Sequence, residues 1–283
     1  MANIRDIKNR IESIKSTRQI TNAMKMVAAA NLRKAQNRII KARPYADYIN
    51  QMIQTVKIKH SDTLHPLLEN NEQEQKAFVI VTSDRGLCGS FNYNILKLAG
   101  KYLNENPELD IICIGKKGYD YLKKRDIQII DKHINLFNEM DFSSSRDIAN
   151  KLISMYLDNN YGQISIIYNE FKSAIQQNVV IKQLFPITPP EDLEINLLDF
   201  IYEPDPYTII DELTHKYIDV EIWRILLESS AAEQGARMTA MDSATENAHE
   251  LIDNLTLYYN RARQAKITKE IIEIASGAEA INK

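Results

Sequence analysis

Proline is missing from residues 207–281, and glycine occurs there only at Gly235 and Gly277. A stretch of that length without helix breakers excludes a loop-and-strand domain at this end and predicts one very long helix. Glycine is equally missing from residues 3–57, where the single proline, Pro44, predicts a kink near Lys41 by removing a backbone donor and crowding the preceding turn. Cysteine is scarce too. Cys88 and Cys113 cannot build a disulfide framework, and the five scattered histidines add no paired ligand spacing, so no zinc site is expected. No run of eighteen apolar residues occurs, and residues 1–31 carry charge throughout instead of a basic start followed by an apolar block. Neither a membrane span nor a signal peptide is expected.

What is present is patterned. Stepping alternately three and four residues along the last quarter selects Ile210, Leu213, Tyr217, Val220, Arg224, Leu227, Ala231, Gln234, Met238, Met241, Thr245, Ala248, Ile252, Leu255, Tyr259 and Ala262. All but Arg224, Gln234 and Thr245 are apolar, which is the heptad seam of a coiled coil. The same step along the first arm runs from Ile4, Ile7 and Ile11 to Ile49, Ile53 and Val56, broken only at Arg18, Thr21 and Lys25. That clustered break suggests that the paired helices locally face something other than each other.

Charge is divided unevenly. Residues 1–43 hold eleven Lys/Arg against Asp6 and Glu12, whereas residues 207–283 hold eight Lys/Arg against thirteen Asp/Glu, within a net charge of −3. The arms attract each other, and the basic one has surplus charge for a third, acidic body. It has no aromatic residue before Tyr45 on which a base could stack, which weighs against nucleic acid.

Between the arms the periodicity changes. Six of the eight glycines fall between Gly86 and Gly162. Strands are expected at 77–83, 110–114, 127–130, 163–168 and 178–185, and helices at 91–103, 117–124 and 145–158. This alternation predicts a mostly parallel, Rossmann-like sheet with the last strand antiparallel. The fold class that follows is an α/β globular domain inserted between two long terminal helices forming an antiparallel coiled coil. Its segments are a helix at 1–58, a linker at 59–76, the globular domain at 77–186, a proline-rich linker at 187–206 and the long helix at 207–283. The last arm is the longer, so on the order of 25 Å of single helix should extend past its partner. That end, 265–281, keeps a stripe of Ile267, Ile271, Ile274, Ala278 and Ile281, which predicts a socket on another protein.

Chemical motifs are weak by comparison. The glycine-rich DRGLCGSFN, residues 84–92, sits between a strand and a helix, where phosphates bind helix amides, but it lacks both the dinucleotide three-glycine spacing and a P-loop Gly-Lys-Ser/Thr ending. The GKKG at 115–118 reads as a lysine-bearing turn. No Ser/His/Asp or paired-carboxylate grouping stands out, and no catalytic residue, cofactor or metal is expected.

Several segments together resemble the gamma subunit of bacterial F-type ATP synthases. They are the opening IRDIKNRIESIKSTRQITNAMKMVAAANLRKAQ, the central TSDRGLCGSFN, the YEPDP before the last helix, and AAEQGARMTAMDSATENAHELI and YNRARQAKITKEIIEIASGAEAI at the end. The resemblance implies a non-catalytic shaft, one copy per complex, turning inside an alpha3beta3 hexamer, with its globular part on epsilon and the c-ring. It implies peripheral attachment at the cytoplasmic face of the bacterial membrane, with proton flow driving rotation. Contacts to beta are implied for Met24, Lys25, Arg237, Gln264 and Thr268, and for the DRGLCG loop with Cys88; Ile271 and Ile274 join them from the apolar stripe. No inserted cysteine pair of the light-regulated chloroplast type is present, so thiol control is not expected. The competing readings are a nucleotide-dependent α/β enzyme and a nucleic-acid-binding coiled-coil rod.

Overall fold

The computed structural model describes residues 4–59, 65–71, 73–138, 140–158, 161–188, 203 and 205–281. Much of both expected linkers, at 60–64, 72, 189–202 and 204, lies outside them. The chain forms two compact units: Ala28–Arg237, and Met1–Val27 with Met238–Lys283. Two helices, α1 (Ile4–Lys59) and α5 (Pro206–Ile281), contribute to both.

The larger unit is built on five strands: β1 (Lys76–Val81), β2 (Asp110–Ile114), β3 (Ile129–His133), β4 (Gln163–Phe171) and β5 (Gln177–Phe185). Their order is β3-β2-β1-β4-β5, with β5 alone antiparallel. Three shorter helices connect them: α2 (Phe91–Glu105), α3 (Lys116–Lys123) and α4 (Phe142–Leu157). The continuous apolar runs of β1 and β2 are explained by burial on both faces, as in parallel sheets generally. Ala77, Val79, Val81, Ile112 and Ile114 join one core with α4, the Ala46–Ile49–Ile53 stripe of α1 and the early part of α5. Phe78, Ile80, Ile111 and Cys113 alternate to the other face, under Phe91 and Ile95 of α2 and Leu122 of α3.

Element bounds shift from the expected ones for local chemical reasons. β1 stops at Val81 because the next two side chains turn to capping work: Thr82 accepts from the Gly118 amide at 2.8 Å, and Ser83 donates to the Arg85 carbonyl at 2.5 Å. α4 begins three residues early because the Asp141 carboxylate accepts the Ser144 amide at 2.9 Å, an N-cap legible as D-F-S-S. β3 starts at Ile129, after Asp126 at φ 55, and a register irregularity interrupts its pairing with β2. α1 runs through Pro44 as one helix, with Pro44 exposed.

Every seam position from Ile4 to Ile53, and from Ile210 to Ala262, is buried or half-buried. In the larger unit, however, the seam is only one of two buried stripes on α5. Ile218, Ile222, Ile225 and Leu226, off the seam, are all fully enclosed, so this stretch is apolar around most of its circumference. A heptad template finds only the face that repeats and misses the face the sheet covers.

In the smaller unit the ends of α1 and α5 pair antiparallel, with Ile7 and Ile11 packed with Ile252 and flanked by Ile14, Leu255, Tyr259 and Ala262. The expectation that Thr21 and Lys25 turn away from the partner helix is corrected. The Thr21 and Thr245 hydroxyls share a hydrogen bond of 2.8 Å, and Lys25 reaches Asp242 at 2.6 Å. Thr245 of the α5 seam and Asp242 beside it lie level with this interruption, so the helices meet through polar atoms there. Beyond Ala262 every residue from 263 to 277 is exposed, including Ile267, Ile271, Ile272 and Ile274. The side chains of Ala278 and Ile281 lie outside the described residues.

Gly115 is required by this architecture. Its φ is 94, and a Cβ there would sit 2.0 Å from the Thr82 carbonyl oxygen. Gly115→Ala should therefore destabilise the chain by roughly 2–4 kcal/mol in urea unfolding. A loss below about 0.5 kcal/mol would contradict the fit.

Candidate functional site

The sheet reverses its winding beside β1, and the crevice at the carboxyl ends of the strands is where open α/β sheets hold ligands. Here that position is filled from within. The Asp84 carboxylate accepts amides from Lys116 at 3.0 Å, Asn135 at 2.8 Å and Phe137 at 3.2 Å, tying the end of β1 to the loops after β2 and β3. Asn92 of α2 donates to the Ser83 hydroxyl at 2.7 Å and accepts the Ser83 amide at 3.0 Å. An anion arriving here would meet a fixed carboxylate, and the loop's inner polar groups are committed to its own frame. The DRGLCG loop is therefore a structural hub.

The same loop is tied to α5. Arg237, 8% exposed, donates to the Gly86 carbonyl at 3.3 Å and to Glu233 one turn earlier at 2.5 Å. Burial pushes the Glu233 carboxyl above its ordinary range, against the pull of Arg237. Breaking such a buried pair leaves one charge uncompensated.

A second buried charge group lies where α5 crosses the β4–β5 hairpin. Glu221 accepts from Arg224 at 2.6 Å and from Lys182 of β5 at 2.7 Å, and Arg224 also reaches Glu228 at 2.9 Å. Burial alone would raise the Glu221 carboxyl, but the two cations reverse it and hold it below the ordinary value. Burial likewise works against the charge of Arg224, but Glu221, Tyr168 and Glu228 together raise its guanidinium above the ordinary value. These groups border a cleft of about 500 Å³, whose outer wall includes Arg43, Asp47, Glu170 and Lys172.

The residues implied as contacts do not form one site. Met24 is half-buried and Lys25 is paired with Asp242, both in the smaller unit. Gln264, Thr268, Ile271 and Ile274 are exposed on the end of α5. Cys88 and Arg237 lie in the larger unit and face inward. Cys88 is 2% exposed with its thiol pushed up by burial, and the loop's outward side chains are Arg85 and Leu87, the latter held at φ 62. Burial lifts the Cys113 thiol to about 12, so both thiols are protonated at neutral pH. The spacing of Glu233 and Arg237 was a legible i,i+4 pair. The Gly86 carbonyl and the three amides around Asp84 had no sequence signal, because they are backbone groups brought together by folding. Among the described residues no His, Cys, Asp or Glu cluster suited to a metal is present.

Two consequences are measurable. Arg237→Ala should cost roughly 3–5 kcal/mol of stability in chemical unfolding, with part recovered in Glu233→Leu/Arg237→Leu. An effect below about 0.5 kcal/mol, as for an exposed helix position, would place Arg237 on the surface. Because the Glu221 carboxyl is depressed in the folded chain, its contribution is fully present above the ordinary value of 4.5 and is lost as pH falls through the lower folded value. Unfolding free energy measured against pH should therefore fall less steeply below that point in Glu221→Gln than in the wild type. Parallel curves would refute the assignment.

Comparison with known proteins accounts for this arrangement. A family model described as ATP synthase matches residues 3–281. The ATP synthase gamma chain of Chlorobaculum parvum is 48% identical over 290 residues, covering 99% of each chain, and that of Prosthecochloris aestuarii is 46% identical over 289 residues with the same coverage. Among solved structures, a chain of the Tetrahymena thermophila mitochondrial ATP synthase central stalk and c-ring aligns at a TM-score of 0.61 and 26% identity, covering 80% of this chain and 99% of that one. A chain of the Euglena gracilis mitochondrial ATP synthase rotor shares the fold at a TM-score of 0.68 and 21% identity, covering 93% and 98%. With a family model matched over nearly the whole chain and relatives close to half identical along its length, this protein belongs to the ATP synthase gamma-chain family.

Proposed function

We propose that this chain is the shaft through which ion-driven rotation reaches the catalytic sites of an F-type ATP synthase. As a member of the gamma-chain family it is a rotor subunit of that complex, and no helix among the described residues is long and apolar enough to cross a membrane. The observation that carries the reading is the end of α5. Residues 263–277 keep helical structure with every side chain exposed, and Ile267, Ile271, Ile272 and Ile274 form apolar surface without intrachain cover. Such a surface calls for a socket. Its charges pair along the helix, Lys266 with Glu270 and Lys269 with Glu273, each at 3.5 Å, so they stiffen the helix without consuming the apolar positions.

In this reading the socket is the alpha3beta3 hexamer, which catalyses while this chain does not. Segments 1–58 and 207–283 act as the shaft, 77–186 as a foot on epsilon and the c-ring, and 59–76 and 187–206 as joints. Chemically equivalent catalytic subunits adopt different states only if the body they surround is asymmetric. A helix pair that gives way to a single helix supplies that asymmetry. The complex sits on the cytoplasmic face of the bacterial membrane. Met24, Gln264, Thr268, Ile271 and Ile274 are the contacts this proposal retains. Lys25 would have to exchange its Asp242 partner, and Arg237 and Cys88 act through the loop they hold. Asp84 in the sheet crevice counts against a nucleotide-dependent enzyme, and the basic arm without aromatic residues counts against a nucleic-acid rod.

The test is to delete residues 265–283 and measure proton-driven ATP synthesis in membrane vesicles. Synthesis should fall several-fold while the chain still co-purifies with the hexamer, one copy per complex. Synthesis at the wild-type rate would remove the assigned role from this end, and failure of the intact chain to co-purify would overturn the reading.

A further inference from the structure

Among the described residues His65 is the one enclosed histidine, with 2% of its side chain exposed. It opens a tight turn in the sequence H-P-L-L. The Leu68 amide donates to the His65 carbonyl at 2.8 Å, and Pro66 takes the position where its fixed φ suits such a turn. Leu67 carries the turn inward: its side chain is fully buried in the larger core, and its carbonyl accepts the Ile187 amide at 2.8 Å. His65 thus stands where the chain from α1 enters the sheet domain, beside the chain leaving β5 and against the first turns of α5.

Both ring nitrogens are engaged, with opposite demands. Nδ1 accepts the Leu67 amide at 3.2 Å and must be unprotonated, which leaves the proton on Nε2, 3.1 Å from the Asp211 carboxylate of α5. An imidazolium carries a proton on each nitrogen and cannot keep both partners. Asp211, whose side chain is half exposed, favours the cation, whereas enclosure and the Leu67 N–H oppose it. His215, one turn further along α5, reaches the same Asp211 oxygen at 3.8 Å and competes for it when charged. The Tyr207 ring lies 6.1 Å away, and Glu69 is the next ionisable group on the histidine's own segment. We infer that His65 is a pH-sensitive pin at this joint: neutral, it holds Leu67 in the core; protonated, it keeps Asp211, gives up the Leu67 amide and lets the 65–67 turn open. A buried N–H without an acceptor is costly, so Leu67 moves out with its amide. The inference goes beyond the rotor reading and does not rest on it, because the pin lies wholly within the larger unit. In a shaft, it makes the joint between arms and foot stiffer at neutral pH than in acid.

The experiment follows amide hydrogen exchange in the full chain, residue by residue, between about pH 8 and about pH 5, with intrinsic exchange rates divided out. Protection of the Leu67 amide should fall about tenfold in acid while that of Ile80 in β1 stays unchanged. Nitrogen resonances of the His65 ring should report the Nε2–H tautomer at the upper end of the range. His65→Asn, whose side-chain oxygen can accept the amide two residues on without titrating, should keep Leu67 protected throughout. Asp211→Asn removes the carboxylate that favours the cation, so the loss should move to lower pH. The inference is overturned if Leu67 protection in the wild type is independent of pH, if His65→Asn shows the same acid loss, or if the neutral ring carries its proton on Nδ1. Loss at Ile80 in step with Leu67 would mean global unfolding and would overturn it as well. Co-purification with the hexamer tests the rotor reading separately, so either idea can fail alone.

Discussion

The first third of α5 is enclosed on most of its circumference, and the rest of the molecule depends on that enclosure. A helix of 76 residues gains little from intrinsic propensity alone and is stabilised chiefly where tertiary packing covers it. Ile218, Ile222, Ile225 and Leu226 are covered within the sheet domain, and so are Ile210, Leu213, Tyr217 and Val220 along the seam. An anchored helix can then afford an end whose apolar side chains meet only solvent. The packing need and the functional need fall on different stretches of one element.

Charge is used in two ways along the same helix. Where α5 is enclosed, its buried ionic groups are tied to one another and to other elements, as with Glu221 between Arg224 and Lys182 and with Arg237 between Glu233 and Gly86. These ties cross between elements and fix the β4–β5 hairpin and the DRGLCG loop to the helix. Gly235 allows the closest approach, since a Cβ there would come within 3.1 Å of Ala174 in the hairpin turn. Where α5 is exposed, ion pairs run along the helix between neighbours four apart and contribute little beyond solubility and local stiffness.

The periodic parts of this architecture were legible in the sequence, and the convergent parts were not. Both seams and the strand–helix alternation could be read because each depends on a repeat within one segment. The second buried stripe of α5 escaped because the sheet that covers it is assembled from distant segments. For the same reason Arg237, implied as a contact to beta, gave no sign of facing inward: its place on the helix says nothing about a carbonyl at Gly86 that folds against it. Thr21 could have been paired with Thr245 by comparing the two seams level by level, whereas Asp242, the partner of Lys25, lies off the seam and gave no such signal. The exposed isoleucines at the end of α5, Ile267, Ile271 and Ile274, were accessible to sequence reasoning because an apolar stripe without a partner is itself a repeat.

The polar level at Thr21–Thr245 and Lys25–Asp242 also answers a question of measurement. Two alanine- and isoleucine-rich helices packed antiparallel would tolerate slippage by a heptad, a displacement of about 10 Å, with nearly equal hydrophobic contact. Slippage here would break the Thr21–Thr245 hydrogen bond and separate Lys25 from Asp242. The four residues therefore act as an index mark between two sliding scales. The uncovered length of the longer helix becomes a fixed dimension of the molecule instead of an average over registers.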